Sequence, residues 1–351
     1  MTAAGDVRLS RLYLVCPRCG ASRYPLDDRL GVAGFVSPHA RKLLSLAGAS
    51  WSFAGAAGHL AEFCGLRTCA QTIRAVCYQE AGLLADWLHD DKAAGAGFAA
   101  ASGDVEFQTD GTMVNTWEGW REMRLGVFAK RPRGRPATAD AWDTRRLPPP
   151  QARVLFGGIE TAEHFGPRIR RWAARLGIRD ASEVTVLGDG AEWIRNQAQR
   201  QLPGAKRLLD IFHGSEHLAD CAKVLYGEGA AAAKAWVDGG RRALLTTGAV
   251  GVQEHLAAAR AGARSAPKRR ALAEVTRYFE RRADSLGYAE RLAQGQSIGS
   301  GLVEGACKQV IGRRMKQTGA RWRVRRANRM ATLCCTFHSD TWAVYWDHQI
   351  N

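Results

Sequence analysis

Three observations in the chain predict an α/β fold: a mixed sheet carrying an all-helical insertion. Three strand-like runs, then helix, strand, helix and strand, occupy residues 104–213. An alanine- and arginine-rich stretch, 214–292, keeps a helical period. Two apolar runs each deliver an aspartate to a glycine, at Asp110 and Asp189, and a third acid, Glu304, opens a helical stretch downstream. Ahead of the sheet stand a small cysteine-containing module, 1–36, and a helical region, 37–90; residues 293–351 return to the sheet and add a basic helix.

With 351 residues, 46% of them apolar, the chain can bury a large core and divide into two or three units. No apolar run approaches the roughly 18–20 residues that span a bilayer, and the N-terminus lacks a signal-peptide core. A cytoplasmic, nucleoid-associated protein with no membrane partner is therefore expected. Lys and Arg outnumber Asp and Glu by 50 to 34, a net charge of +16. The excess is uneven, because nine Lys or Arg and no acid stand between Glu304 and Asp340. Such a block attracts a polyanion. Gly, Trp and Asn interrupt it and no apolar stripe accompanies it, which favours nucleic acid over a membrane surface or a merely solvated face.

Nine cysteines without an export signal read as reduced thiols. Residues 5–15 alternate around Val7, Leu9, Leu12 and Leu14, as a strand or hairpin feeding the CPRC turn at 16–19. That turn aims the thiolates of Cys16 and Cys19 at one ion. Structural zinc takes four ligands, so the pair forms half of a Zn²⁺ site. Cys64, Cys69 and Cys77 fall on helical stretches and read as buried thiols. From Ser37 the pattern is helical through Leu43, Leu44, Phe53, Leu60 and Phe63. After a break at Gly65, Thr68 is positioned to cap a second helix bearing Ile73, Val76, Leu84 and Trp87. Two short helices about a glycine turn fit a DNA-reading helix-turn-helix, and fit any helical hairpin equally. Residues 91–103 are small and lack a period, as a linker does.

In the sheet region the first strand ends at Asp110, and the second runs from Trp120 to Lys130 after a turn near Asn115 and Glu118. A basic, proline-rich loop, 130–150, leads to a third strand from Arg153 and an amphipathic helix from Thr161 to Leu176. Strand four spans Val184 to Leu187, the next helix Ala191 to Leu202, and strand five Lys206 to Phe212. An antiparallel meander followed by this alternation is the element order of a ribonuclease H-like fold. There the tips of strands one and four are neighbours, so Asp110 and Asp189 meet.

Acids so placed suit phosphodiester chemistry. Cleavage and strand transfer need the attacking oxygen deprotonated and the leaving oxygen stabilised, which two divalent ions about 3.5–4 Å apart accomplish. Mg²⁺ or Mn²⁺ prefers oxygen ligands and keeps positions open for water and phosphate, as three carboxylates allow. One aspartate before a glycine is ordinary turn chemistry. Two at strand ends, with a glutamate opening a helix ahead of a basic block, are a stronger signal.

The residues DGT at 110–112, LGDGAEWI at 187–194, LDIFHGSEHL at 209–218 and GSGLVE at 299–304, with Lys308, Arg313, Lys316, Gly319 and Trp322 beyond, carry a family likeness. In them the chain resembles bacterial insertion-sequence transposases of the DDE type, of the ISKra-like group related to Mutator-like elements, from about Cys16 to Thr332. The resemblance implies that Asp110, Asp189 and Glu304 are the catalytic triad holding two Mg²⁺ or Mn²⁺ ions. It makes Asp210 and His213 an auxiliary D-x-x-H motif. It implies double-stranded DNA, as transposon ends and target, for a partner, and a homo-oligomer on that DNA. Such transposases commonly show a further Cys pair before the strand leading to Cys16. Its absence here implies a partial zinc site and a shortened reading frame.

Within the basic block, Lys308, Arg313, Arg314, Lys316, Arg321 and Arg323 are expected on DNA, with Trp322 among them packing as core or stacking on an unpaired base. Trp193 reads as core. His213 and His217 flank Glu216 four residues apart, but not in H-E-x-x-H order and just after a strand, so a structural or DNA-positioning role fits them better than zinc. The expected function is DNA transposition: nicking at the element's ends, then attack of the freed 3′-hydroxyl on target DNA. A transposase-derived DNA-binding protein without catalysis conflicts with the intact acids. A ribonuclease H-like nuclease without strand transfer shares the first chemical step and stays open.

Overall fold

The computed structural model describes residues 1–30 and 35–350. At the N-terminus β1 (Leu14–Val15) pairs with β2 (Ser22–Arg23) around the Cys16 turn, and α1 (Pro25–Arg29) follows. The expected module, 1–36, includes residues 31–34, which lie outside the described ones. The alternation at Val7, Leu9 and Leu12 makes no strand: these residues join no ladder among the described residues, and their side chains stay exposed.

Four helices come next: α2 (Pro38–Ser50), α3 (Phe53–Cys64), α4 (Ala70–Asp90) and α5 (Ala93–Ala100). The hydroxyls of Ser37 and Ser52 accept from the backbone N–H of Ala40 and Gly55, satisfying donors the first turns leave free. Gly65 closes α3 at φ 62°, a left-handed position glycine adopts without Cβ strain. Three expectations are corrected here. The helix after the break starts past Cys69 rather than at a Thr68 cap and runs 21 residues, so the two helices about Gly65 are not both short. Most of the supposed linker 91–103 is α5, because its alanines favour a helix and Phe98 and Ala94 gain burial. Of the three thiols read as buried, only Cys77 is; Cys64 and Cys69 sit exposed at the helix ends that flank the break.

A five-stranded sheet is built from β3 (Asp104–Thr116), β4 (Gly119–Arg131), β5 (Ala152–Gly158), β6 (Val184–Gly188) and β7 (Lys206–Leu209), in the order β5-β4-β3-β6-β7. The first three are antiparallel neighbours, whereas β3–β6 and β6–β7 are parallel, reached through α6 (Ala162–Arg175) and α7 (Glu192–Gln201). The fold is therefore α/β with a mixed sheet. β3 does not stop at Asp110, because β4 supplies partners along its whole length, from Asp104 opposite Arg131 to Thr116 opposite Gly119. β7 stops at Leu209, where the Asp210 side chain turns the chain into α8 (Ile211–Tyr226) by capping it. The stretch expected to be helical holds α8, α9 (Ala231–Thr247), α10 (Ala249–Ala261), α11 (Ala266–Glu280) and α12 (Tyr288–Ala293). α13 (Gly301–Ala306) then runs into a π-helical turn, Cys307–Arg313, before α14 (Val324–Phe337) and α15 (Thr341–Ile350).

One face of the sheet buries Phe107, Phe128 and Phe156 against Phe165, Ile169 and Trp172 of α6 and Ile194 and Ala198 of α7. The opposite face packs Met123, Leu125, Val127 and Leu155 beneath α2, α4, α14 and α15, so the helical region before the sheet and the C-terminal helices share one core. Inside that core Glu80 is fully buried, accepts a hydrogen bond from Tyr345 Oη at 2.6 Å and lies 3.5 Å from Arg41 Nη1. Burial raises the Glu80 carboxyl above its ordinary value, with Tyr345 and Arg41 pulling it back down. Among the described residues no helix is long and apolar enough to cross a membrane.

Because its folded pKa is raised, Glu80 holds a proton more tightly in the folded chain. That contribution to stability is complete below the ordinary value of 4.5 and is lost as pH rises through the folded value. Tyr345→Phe strips the buried carboxylate of its hydroxyl donor, and is expected to cost about 1–3 kcal/mol at neutral pH and less near pH 4. Urea unfolding at the two pH values checks this; identical midpoints for variant and parent at pH 7 would rule it out.

Candidate active site

Parallel pairing of β3 with β6 sets Gln108 opposite Leu187. Asp110 and Asp189 each stand two residues further along their strands, at the same end of two adjacent strands. Asp110 is half-buried and its Oδ1 accepts from the N–H of Gly111 at 2.7 Å. Asp189 lies just past β6, where its Oδ1 accepts from the N–H of Ala191 at 2.8 Å and shapes the turn into α7. Gly190 between them has φ +81°, and a Cβ there would come within 2.4 Å of Arg282 Nε, so both backbone and space call for glycine.

Glu304 reaches the same place from α13, and two buried side chains hold that helix. Gln108 Oε1 accepts from the N–H groups of Leu302 and Val303 at 3.1 and 3.2 Å, while its Nε2 donates to Glu106 Oε2 at 3.1 Å. Asp210 accepts from Phe212 N on one oxygen, at 2.7 Å, and from Ser300 N at 2.7 Å and the Ser300 hydroxyl on the other. One carboxylate thus ties the end of β7, the start of α8 and the loop before α13. Its oxygens are committed to these bonds, which makes Asp210 a positioning group rather than a ligand.

The Asp110 carboxyl is raised above its ordinary value first by burial, with the negative charges of Asp189 and Glu304 adding to it; the Gly111 N–H and His213 pull the other way. Asp110 therefore feels both other acids. Among the described residues none of the three is ion-paired to Lys, Arg or His. Nor, among those residues, do three His, Cys, Asp or Glu side chains close around a single point as a metal ion requires. Asp110 is near enough to feel the charge of both other acids, but the three do not stand at coordination distance. Carboxylate oxygens are the donors a hard divalent ion prefers, and these acids would have to draw closer to share one.

The helical insertion grips this site. Arg282 donates from Nε and Nη2 to Gly190 O at 3.2 and 2.6 Å and lies 3.8 Å over the Tyr278 ring, and Tyr278 Oη donates to Asp189 O at 3.4 Å. Burial pushes the Tyr278 hydroxyl up to about 12, so it stays a donor at neutral pH. His217 lies tilted against Tyr278 with ring centroids 3.7 Å apart, and its pKa is lowered, first by burial. His213, half-exposed, has Nδ1 3.4 Å from Glu216 Oε2. The structure thus brings together Asp110, Asp189, Glu304, Asp210 and His213. It adds Gln108, Tyr278 and Arg282, and also Cys307, whose thiol donates toward Asp110 Oδ2 at 4.0 Å and is pushed up to about 12, chiefly by burial. No motif marked these four; the spacing of the acids alone gave no sign of their supports.

In the basic block Lys308, Arg313, Lys316, Arg321 and Arg323 are exposed, and Lys316 Nζ donates to Thr112 Oγ1 at 2.7 Å. Two expected DNA contacts are corrected. Arg314 is 3% exposed; its Nε donates to Gly48 O at 2.6 Å, with Phe53 and Trp322 packed against its guanidinium. Trp322 is 8% exposed and donates Nε1 to Met315 O at 3.0 Å, so no base can stack on it. Trp193, partly buried, packs edge-on to Phe165 beneath Arg124 at the margin of the core. At the N-terminus the Cys16 thiol is lowered below its ordinary value by backbone N–H donors of Cys19 and Arg18, and no further ligand joins Cys16 and Cys19 among the described residues. No protein-family model matches the chain, and no curated protein matches it.

Two measurements check these assignments. Asp210→Asn removes the second acceptor that Ser300 uses, and is expected to speed amide exchange at Ser300 and Phe212 while Val186 and Leu187 in β6 stay protected; unchanged exchange at Ser300 would refute the tie. Zinc is expected to bind Cys16 and Cys19 weakly, because two thiolates leave half the tetrahedron to water. One tightly held zinc per chain, lost on Cys16→Ser, would count against a half-site.

Proposed function

We propose that the chain is a DDE-type transposase of ribonuclease H-like fold, with Asp110, Asp189 and Glu304 as its metal-holding acids. The observation that carries this reading is the placement of three carboxylates without ion-pair partners near one another, though short of coordination distance: Asp110 on β3, Asp189 just past the parallel β6, and Glu304 on a helix that buried side chains fasten to the same strand ends. The order β5-β4-β3-β6-β7, with two antiparallel and two parallel pairings, supports it. Two Mg²⁺ or Mn²⁺ ions, when bound, supply Lewis-acid stabilisation at the entering and leaving oxygens.

The protein's own groups do the rest. Water would attack the scissile phosphorus in line and break the P–O3′ bond, its proton passing to the leaving 3′-oxygen; the 3′-hydroxyl so freed would then attack a target phosphodiester, breaking that P–O3′ bond and releasing a target 3′-hydroxyl, which takes up the attacking group's proton. The turn around Asp189 is fixed by Arg282 and Tyr278, and the Glu304 helix by Gln108 and Asp210, so the ligands are preorganised before DNA arrives. Lys308, Arg313, Lys316, Arg321 and Arg323, all exposed, would lie along double-stranded DNA of the transposon ends and target. Synapsis of two ends calls for a homo-oligomer on DNA.

Alanine at Asp110, Asp189 or Glu304 is expected to abolish Mg²⁺-dependent nicking while leaving duplex affinity equal or higher, since each change removes a ligand and a negative charge beside phosphate. A gel assay with labelled ends and a target plasmid reads both steps. Cleavage surviving at any of the three positions removes it from the triad, and nicking without joined product would mark a nuclease instead.

A further inference from the structure

The hairpin joining β3 to β4 runs beyond the sheet and ends in two tryptophans that the core does not use. Trp117 and Trp120 are each 62% exposed, and Met113 beside them is 43% exposed. Their turn is ordered: Thr116 Oγ1 donates to Gly119 O at 2.5 Å and accepts from Glu118 N at 3.2 Å, with Gly119 at φ +93°. The basic segment is hydrogen-bonded along the hairpin end, Trp117 N to Trp322 O at 2.8 Å and Trp322 N to Asn115 O at 3.1 Å. This anchors Arg321 with its guanidinium 5.1 Å over the Trp117 ring, and exposed Arg121 and Arg323 flank the tip, which also carries Glu118 and, ion-paired to Arg124, Glu122. Large indoles on a rigid turn lose little entropy on binding, and their faces are solvated at a cost, unless a flat partner covers them.

We infer that Trp117 and Trp120, with Arg321, form a stacking platform for unpaired bases of a nucleic-acid strand. The ring faces suit any base, the arginines suit its phosphates, and a guanidinium on the far side of an indole strengthens the stack by cation–π attraction. The platform deepens the proposed function: it rests on nucleic acid being the substrate, and assigns the protein a grip on single-stranded ends near the cut. Trp322, which the sequence offered for this task, instead lies inside and fixes the segment that bears Arg321.

The test uses the full chain with an oligo(dT) strand and a blunt duplex, both in metal-free buffer. Trp117→Ala and Trp120→Ala are each expected to weaken oligo(dT) binding about 5- to 150-fold with an unchanged salt slope, and to leave duplex binding within about twofold. Trp117→Phe should restore most of the affinity. Arg321→Ala should lower the salt slope by about 0.7. Indole fluorescence should quench on oligo(dT), and circular dichroism confirms folding of each variant. Unaltered oligo(dT) affinity in the Trp117→Ala/Trp120→Ala chain overturns the platform, as does equal loss on duplex, or tryptophan-dependent binding to anionic vesicles in place of oligo(dT). The triad is read separately: an Asp189→Ala chain that still cuts overturns the function, whatever the tryptophans do.

Discussion

The placement of three acids at one end of the sheet depends on how their backbone is held. Each element that carries Asp110, Asp189 or Glu304 is fastened in place. Parallel pairing of β3 and β6 fixes the first two, and its register cannot slip by one residue without turning Phe107 and Val186 out of the aromatic core. The third depends on Gln108 and Asp210, both buried, whose acceptors are occupied by backbone N–H groups of the loop and helix before Glu304. Freeing either would leave a buried polar group without a partner, so the arrangement is all or none.

The helical insertion takes part in that constraint. Its core packs Leu209, Ile211 and Leu218 with Leu244, Phe279 and Tyr288, so it rests on the ends of the two parallel strands. From there Tyr288 Oη donates to Leu209 O at 3.0 Å, and Tyr278 and Arg282 reach the turn at Asp189. An insertion that touched only its own residues would leave the Asp189 turn to solvent. This one closes it, and Gly190 is the residue that lets Arg282 come close enough to do so.

Positive charge divides into two populations. Arg314, inside the molecule, binds a carbonyl of α2 and carries aromatic rings on its faces, and Arg291 donates to Ser297 O at 2.7 Å and Thr185 Oγ1 at 2.9 Å. Burial lowers the pKa of both, yet guanidinium keeps its proton and so serves as a permanent internal donor. The remaining arginines of the basic block stay outside. A charge count treats the two populations alike, although only the second can meet phosphate.

Periodicity and turn chemistry in the chain determined the five strands, the helical stretch after β7 and the two aspartates at like ends of neighbouring strands, because these are local signals that the fold has no reason to override. Strand limits escaped it: β3 continues past Asp110 because β4 lies beside it, and β7 stops early because a side chain caps the next helix, both matters of pairing across the chain. Alanine-rich residues 93–100 gave no amphipathic signal, and their alanine propensity together with the surface that Ala94 and Phe98 cover made them a helix. Burial was decided by tertiary structure alone. Arg314 and Trp322 look in sequence like their neighbours Arg313 and Arg321, but the end of the β3–β4 hairpin and the faces of α2 and α3 close over them, while the same hairpin holds Trp117 out in solvent. Which residue of a basic, aromatic stretch faces water depends on what packs against it, and that information resides in residues more than two hundred positions away.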